Sequence, residues 1–171
     1  MPTLTTALPS TGEWAALNLL AIRTLFTASR VASDIMNRTG ADPGDLGELA
    51  ELGWITGHNE DGEDIDLAEN WSHSLAHVHL RLTSRGNVWI ATNPHNLLLH
   101  DLDGTGSTRW MKAAQVKQHD ETLRQLMFRR LVTMHTDDGR DLHSGTVPSK
   151  QYPNQSLYVR VTRRGQRVVN P

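Results

Sequence analysis

Read from its amino end, the chain alternates short runs of helical and strand-like periodicity. Residues 14–26 are apolar around most of a helical circumference, which predicts a helix that is buried or at an interface. Thr27 or Ser29 is placed to cap a second helix reaching Met36, with Val31, Ile35 and Met36 facing inward. Thr39-Gly40 ends that helix, and residues 41–45 (ADPGD) form a turn in which Asp42 or Asp45 caps the next one. Leu46, Leu49 and Leu52 mark the buried stripe of a third helix, closed by Gly53. Trp54 and Ile55 begin a strand, residues 58–70 form an acidic hairpin tip or loop, and residues 78–82 alternate as a returning strand.

Beyond this point residues 87–101 regain apolar character but carry Pro94, which predicts a linker running into the first helix of a second unit. Residues 104–107 form a turn with Ser107 as a possible cap, and residues 110–116 read as a short helix. Asp120 is placed to cap a helix reaching Arg130, followed by a strand over 131–134, a long loop over 136–155 and a strand over 157–162. Residues 1–12, rich in Thr, Pro and Gly, read as a flexible tail.

Two stretches share one grammar. Leu46, Leu49, Trp54, Ile55 and Thr56 correspond to Leu123, Leu126, Leu131, Val132 and Thr133 at a constant offset of 77. Leu82, Thr83, Arg85 and Gly86 correspond to Val161, Thr162, Arg164 and Gly165 at an offset of 79. A helix ending in an apolar doublet, a hairpin, and a strand closing on Thr-x-Arg-Gly outline a whole small domain. The period exceeds that of solenoid repeats, so it predicts a duplicated domain rather than a stacked array.

The order helix, helix, turn, helix, two-stranded hairpin, worded as L-x-x-L, then G-W-I or R-L-V, then L-T-x-R-G, resembles bacterial winged helix-turn-helix regulators of the MarR type. The resemblance implies an α+β, mostly α fold of tandem winged-helix units with two-stranded wings: a tail over 1–12, an acidic unit over 13–92 and a basic unit over 93–171. It further implies a third helix that enters the DNA major groove and a wing that touches backbone or minor groove. Single-copy regulators of this type dimerise through extra terminal helices, whereas this chain ends at VVNP with no long helix in prospect. An internal pseudo-dimer, or a first copy serving as a dimerisation and partner module, would fill that role.

The net charge of −2 hides a segregation. Residues 1–103 hold 5 basic and 14 acidic residues, a net of −9, while residues 104–171 hold 12 basic and 5 acidic, a net of +7. Such a split points to a polyanion-binding half and an acidic half with another task. Fourteen of the 17 basic residues are Arg, whose planar fork suits phosphate and guanine. The 171 residues suffice for one ordinary domain or two small ones. The absence of Cys excludes disulfides and thiolate metal sites and favours a reducing compartment. With no basic-then-apolar leader and no apolar run of membrane-spanning length, the expectation is a soluble cytoplasmic protein without membrane contact.

The second unit is the expected reader of double-stranded DNA. On the helix after Asp120, Leu123 and Leu126 face inward and leave Thr122, Arg124, Gln125 and Arg129 for other faces. Arg and Gln suit guanine and adenine edges, and Thr suits a thymine methyl. Lys112, Lys117 and Gln118 precede that helix where phosphate contacts fall, Arg140 and Lys150 lie in the wing, and Arg163 and Arg164 crowd its base. The first unit carries Asp45, Glu48 and Glu51 on the equivalent helix, and Glu60, Asp61, Glu63, Asp64, Asp66 and Glu69 in its wing. Phosphates would repel that surface, which suits a protein partner or self-association instead.

His73, His77 and His79, with Asp64 and Asp66, form the one tight histidine group, but their spacing matches no strong metal pattern. No G-x-S-x-G, Gly-rich phosphate loop or H-E-x-x-H occurs. The expectation is therefore no catalytic residue, no metal and no cofactor, in a non-enzymatic DNA-binding protein such as a transcriptional regulator or a plasmid or phage control factor. The alternative is a protein–protein interaction scaffold built of winged-helix modules.

Overall fold

The computed structural model describes residues 7–22, 30–67, 75–106 and 108–171. The chain is an α+β protein, about half helical, with two small antiparallel sheets among the described residues. It divides into Met1–Trp89 with Asn170–Pro171, and Ile90–Val169. Among the described residues no helix is long and apolar enough to cross a membrane.

The first unit starts with α1 (Thr11–Ala21), capped by Ser10, whose hydroxyl accepts from the Glu13 amide at 3.1 Å while the Glu13 carboxylate accepts from the Ser10 amide at 3.0 Å. The expected tail thus already holds a helix start, and the helix expected over 14–26 begins earlier. Thr27 and Ser29, the expected caps of the second helix, lie outside the described residues. Strand β1 (Arg30–Val31) leads into α2 (Ala32–Thr39), and Asp42 caps α3 (Pro43–Glu51). Leu46 and Leu49 are buried, but Leu52 is exposed: the chain leaves the helix there through Gly53, at φ 72°, and turns its side chain from the core. Strands β2 (Ile55–His58), β3 (Asp64–Ile65) and β4 (His79–Leu82) follow and form a sheet in the order β1-β4-β2-β3. Helix α4 (Ser84–Thr92) brings Trp89 against Trp54 at 5.2 Å between ring centroids and edge-on to Trp14 at 6.0 Å. Around these rings Leu17, Ile35, Leu46, Leu49, Ile55 and Leu80 are fully buried.

The second unit repeats that order. It runs α5 (Pro94–Gly104), β5 (Thr108–Met111), α6 (Ala113–Gln118), α7 (Asp120–Phe128), β6 (Val132–His135), α8 (Pro148–Gln151), β7 (Leu157–Val161) and α9 (Arg163–Val169), with sheet order β5-β7-β6. Its core is Leu99, Leu102, Met111, Leu123, Leu126, Leu131, Val132 and Val159.

Several elements differ from the sequence expectations. The linker over 87–101 is instead helical: Pro94 sits in the first turn of α5, where its missing N–H is no loss, and Asn93 accepts from the amides of His95 and Asn96. The short helix over 110–116 is split, because residues 108–111 pair with β7 along their whole length and only then does α6 begin. Asp120 does not cap α7. Its carboxylate accepts from the backbone and hydroxyl of Ser149 and so fastens α8, itself unexpected within the long loop, to the start of α7. Ser107 lies outside the described residues.

The Thr-x-Arg-Gly signature ends a strand by starting a helix. The Thr162 amide donates to the Leu131 carbonyl, its hydroxyl donates to the Arg130 carbonyl at 2.7 Å, and the same hydroxyl accepts from the Gly165 amide at 3.1 Å. In the first unit the Thr83 hydroxyl donates to Gly53 and accepts from Gly86 at 3.1 Å. The residue after each strand therefore caps the helix that follows, and its hydroxyl is tied to the left-handed residue beyond the third helix.

Candidate nucleic-acid interface

Helix α7 buries Leu123, Leu126 and Met127 and turns Glu121, Arg124, Gln125 and Phe128 away from the core. On the outer face one carboxylate organises the rest. Glu121 accepts Arg124 Nε at 3.0 Å, Arg124 Nη2 at 2.5 Å and Gln125 Nε2 at 3.0 Å. The Arg124 hydrogen bond, then that of Gln125, holds the Glu121 carboxyl down at about 2. Phe128 ends this face at 71% exposure.

On α7 and the helices beside it the structure gathers eight of the expected site residues. Helix α8 packs on both α6 and α7, so Lys150, expected in a projecting wing, instead stands on a helix beside those bearing Lys117, Gln118, Thr122, Arg124 and Gln125. Lys112 immediately precedes α6, its amide donating to Gln115 Oε1 at 3.1 Å. Lys112, Lys117, Gln118 and Lys150 are exposed, whereas Thr122 and Arg129 are half-buried. Arg140 is not part of this group. It lies in the hairpin turn beyond β6, its Nε 2.9 Å from Asp138, in a segment that also carries Asp137 and Asp141. Arg163 and Arg164 open α9, at the other end of the β6–β7 pair.

His95, on α5, was not singled out by the sequence. Its ring is half-buried beside Gln125 and Arg129, with both nitrogens shielded from solvent and Gln125 the polar side chain that approaches it. Burial lowers its pKa, outweighing the opposing influence of Gln125.

In the first unit, Glu48 and Glu51 are exposed on α3, and Asp45 is engaged with Asp42 and Ser10. In the hairpin Glu60 lies 2.6 Å from His77 Nδ1, and Glu63 accepts from Asn59. His79 stacks on His58 rather than joining His77, and His73 and Glu69 lie outside the described residues. Among the described residues no three His, Asp or Glu side chains form a metal-ligand group.

Comparison with protein-family models, curated proteins and solved structures returned no match.

The repeat extends into the hairpin that follows the third helix. His58-Asn-Glu-Asp-Gly-Glu-Asp-Ile65 matches His135-Thr-Asp-Asp-Gly-Arg-Asp-Leu142 at the same offset of 77. Both fold into one turn: Asn59 N donates to Glu63 O and Thr136 N to Arg140 O, each at 2.9 Å, with Gly62 at φ 84° and Gly139 at φ 82°.

Proposed function

We propose that this chain is a cytoplasmic, non-enzymatic DNA-binding protein, a transcriptional regulator or a plasmid or phage control factor, in which each unit is a winged helix-turn-helix and the second reads double-stranded DNA. The element order and the sheet order β5-β7-β6 support the winged-helix reading. The observation that carries the DNA reading is the seating of α8 on α6 and α7, which brings the helix bearing exposed Lys150 beside those bearing Lys117 and Arg124. Lysines flanking a helix are the phosphate clamps that fix its register on a duplex. From α7, Arg124 offers guanine a bidentate donor, Gln125 offers adenine a donor–acceptor pair, and Thr122 offers thymine a methyl. Glu121 holds Arg124 and Gln125 in the free chain, but such an exposed pair is weak in water, so base edges compete for both.

Arg140 contributes less in this reading than a free wing cation would, since Asp138 already occupies it. The acidic face of the first unit repels phosphate and serves a protein partner or self-association. Selection of bound sites from random duplexes by the full chain tests the proposal. A preferred duplex whose binding Gln125→Ala weakens by about 1–3 kcal/mol, with less effect on random DNA, supports it. No duplex binding even at low salt overturns it and leaves the scaffold reading.

A further inference from the structure

The sheet of the second unit has a second face, opposite the one on which its core packs. Its strands alternate: Met111, Met134, Leu157, Val159 and Val161 are buried, while Trp110, Thr133, Tyr158 and Arg160 point the other way. The register sets these outward side chains in two adjoining rows. Trp110, Tyr158 and His135 are cross-strand partners in one, and Thr108, Arg160 and Thr133 in the other. In the first row Trp110 lies 5.1 Å from Tyr158 and His135 4.7 Å from Tyr158, centroid to centroid, and Trp110 is 49% exposed. Beside the second row is an open hollow of about 500 Å³ lined by Gly106, Thr108, Thr133, Arg160, Arg163 and Gln166.

Three features of this face point to one class of ligand. First, Arg109, Arg124 and Arg140 each have a carboxylate partner, whereas Arg160 and Arg163 have none among the described residues. Two uncommitted guanidinium groups with hydroxyl and amide neighbours suit a phosphate. Secondly, the carboxylates bordering the face are Asp137, beside Trp110, and Asp141, opposite His135 in the hairpin. Asp141 also lines, with Thr133, His135 and Arg160, a second open hollow of about 530 Å³, so the cations clear of carboxylates are those of the other hollow, where Arg160 meets Arg163. Thirdly, the outward pattern is repeated in the first unit, where Thr56 pairs with Arg81 and His58 with His79. Thr56/Thr133, His58/His135 and Arg81/Arg160 are kept in both copies at positions where the core makes no demand. The first unit has Val31 where the second has Trp110, each cross-strand partner of the residue in the His79 or Tyr158 position.

We infer that the outward sheet face of the second unit binds single-stranded nucleic acid, with bases stacked on Trp110, Tyr158 and His135 and the adjoining phosphate held by Arg160 and Arg163. An aromatic row is tolerant of base identity because every base presents a π-face, and a flanking cationic hollow tracks the backbone. A duplex hides its base faces, so this surface selects unpaired strands. The first unit, lacking the indole and flanked by an acidic hairpin, does not bind them. The inference is independent of the duplex reading of α6, α7 and α8, since none of the residues it invokes stands on those helices.

Fluorescence anisotropy of the full chain with labelled single strands of about 12 nucleotides, as DNA and as RNA, tests it. Trp110→Ala and Arg160→Ala should each weaken binding by about 5- to 100-fold, and Arg160→Ala should also flatten the log–log salt slope by about 0.7. Trp110→Phe, which keeps an aromatic face, should retain most of the affinity and shows that a loss in Trp110→Ala is not a folding defect. Lys150→Ala should leave single-strand binding unchanged while weakening duplex binding. A preference for RNA over DNA would assign a ribose contact to Thr108 or Thr133, both neighbours of Arg160. No single-strand binding at low salt overturns the inference. So does binding that Lys150→Ala reduces and Trp110→Ala does not, or a face that takes a proline-rich peptide instead.

Discussion

A Cβ atom on Gly165 would stand 2.3 Å from the carbonyl oxygen of Leu131. The same relationship recurs in the first unit, where a Cβ on Gly86 would stand 2.3 Å from the carbonyl oxygen of Trp54. In each copy a helix starts so close to the strand after the third helix that only glycine fits. Both carbonyls already accept a backbone hydrogen bond from the adjoining Thr, at 2.9 and 3.0 Å, so neither segment moves freely. Gly165→Ala and Gly86→Ala are each expected to destabilise their unit by about 1–3 kcal/mol. Gly145→Ala, with nothing within 4 Å of the new methyl, should change stability by less than about 0.5 kcal/mol. Urea denaturation followed by circular dichroism separates these outcomes.

The residue ending the third helix shows the opposite imbalance between copies. Gly53 takes φ 72° where Arg130 takes φ 59° at the matching position. A left-handed conformation costs a side-chain-bearing residue about 1–2 kcal/mol, while glycine adopts it freely but loses more entropy on folding. Arg130→Gly should therefore stabilise the second unit by a few tenths to about 1 kcal/mol, and Gly53→Ala should destabilise the first. Equal loss in both variants would contradict this account.

His95 gives the second unit a pH dependence. Burial lowers its pKa below the ordinary value of about 6.5, so the unfolded chain binds a proton more readily than the folded one. The stability is whole above that unfolded value and declines as pH falls below it toward the lowered folded one. The melting temperature should drop between about pH 7 and 5, and His95→Gln should lessen the drop relative to wild type. An unchanged pH profile in that variant would show that the buried ring is not its source.

Helix α7 has two faces with separable roles. Leu126→Ala should cost about 2–5 kcal/mol of stability, since Leu126 is fully buried. Arg124→Ala should leave the melting temperature almost unchanged, because its ion pair is exposed, and should weaken duplex binding in the proposed mode. A large melting shift in Arg124→Ala would assign that residue to the fold instead.

Salt dependence distinguishes the cations. Removing Lys150 should flatten the log–log plot of duplex affinity against salt by about one unit if it holds a phosphate, as proposed. Arg140→Ala should flatten it less, because Asp138 already neutralises that guanidinium at 2.9 Å. Equal slopes for the two variants would show that the hairpin tip engages phosphate after all.

The sequence by itself determined the two third helices, their inward leucines and the strands after them, because Leu46, Leu49, Leu123 and Leu126 follow helical spacing and the apolar doublets follow glycine or arginine in a left-handed turn. It also carried the duplication and the charge segregation. Strand β5 was illegible because residues 108–111 become a strand only through pairing with β7, which lies some fifty residues further on. Pro94 read as a break because its effect depends on whether its missing N–H falls in a helix's first turn or its interior, which local pattern does not reveal. Lys150 moved from an expected wing to the α6–α7 surface because Asp120 and Ser149 meet only in the folded chain. The aromatic row was likewise hidden. Trp110, His135 and Tyr158 come from three strands, and antiparallel register, which acts across space rather than along the chain, is what makes them neighbours.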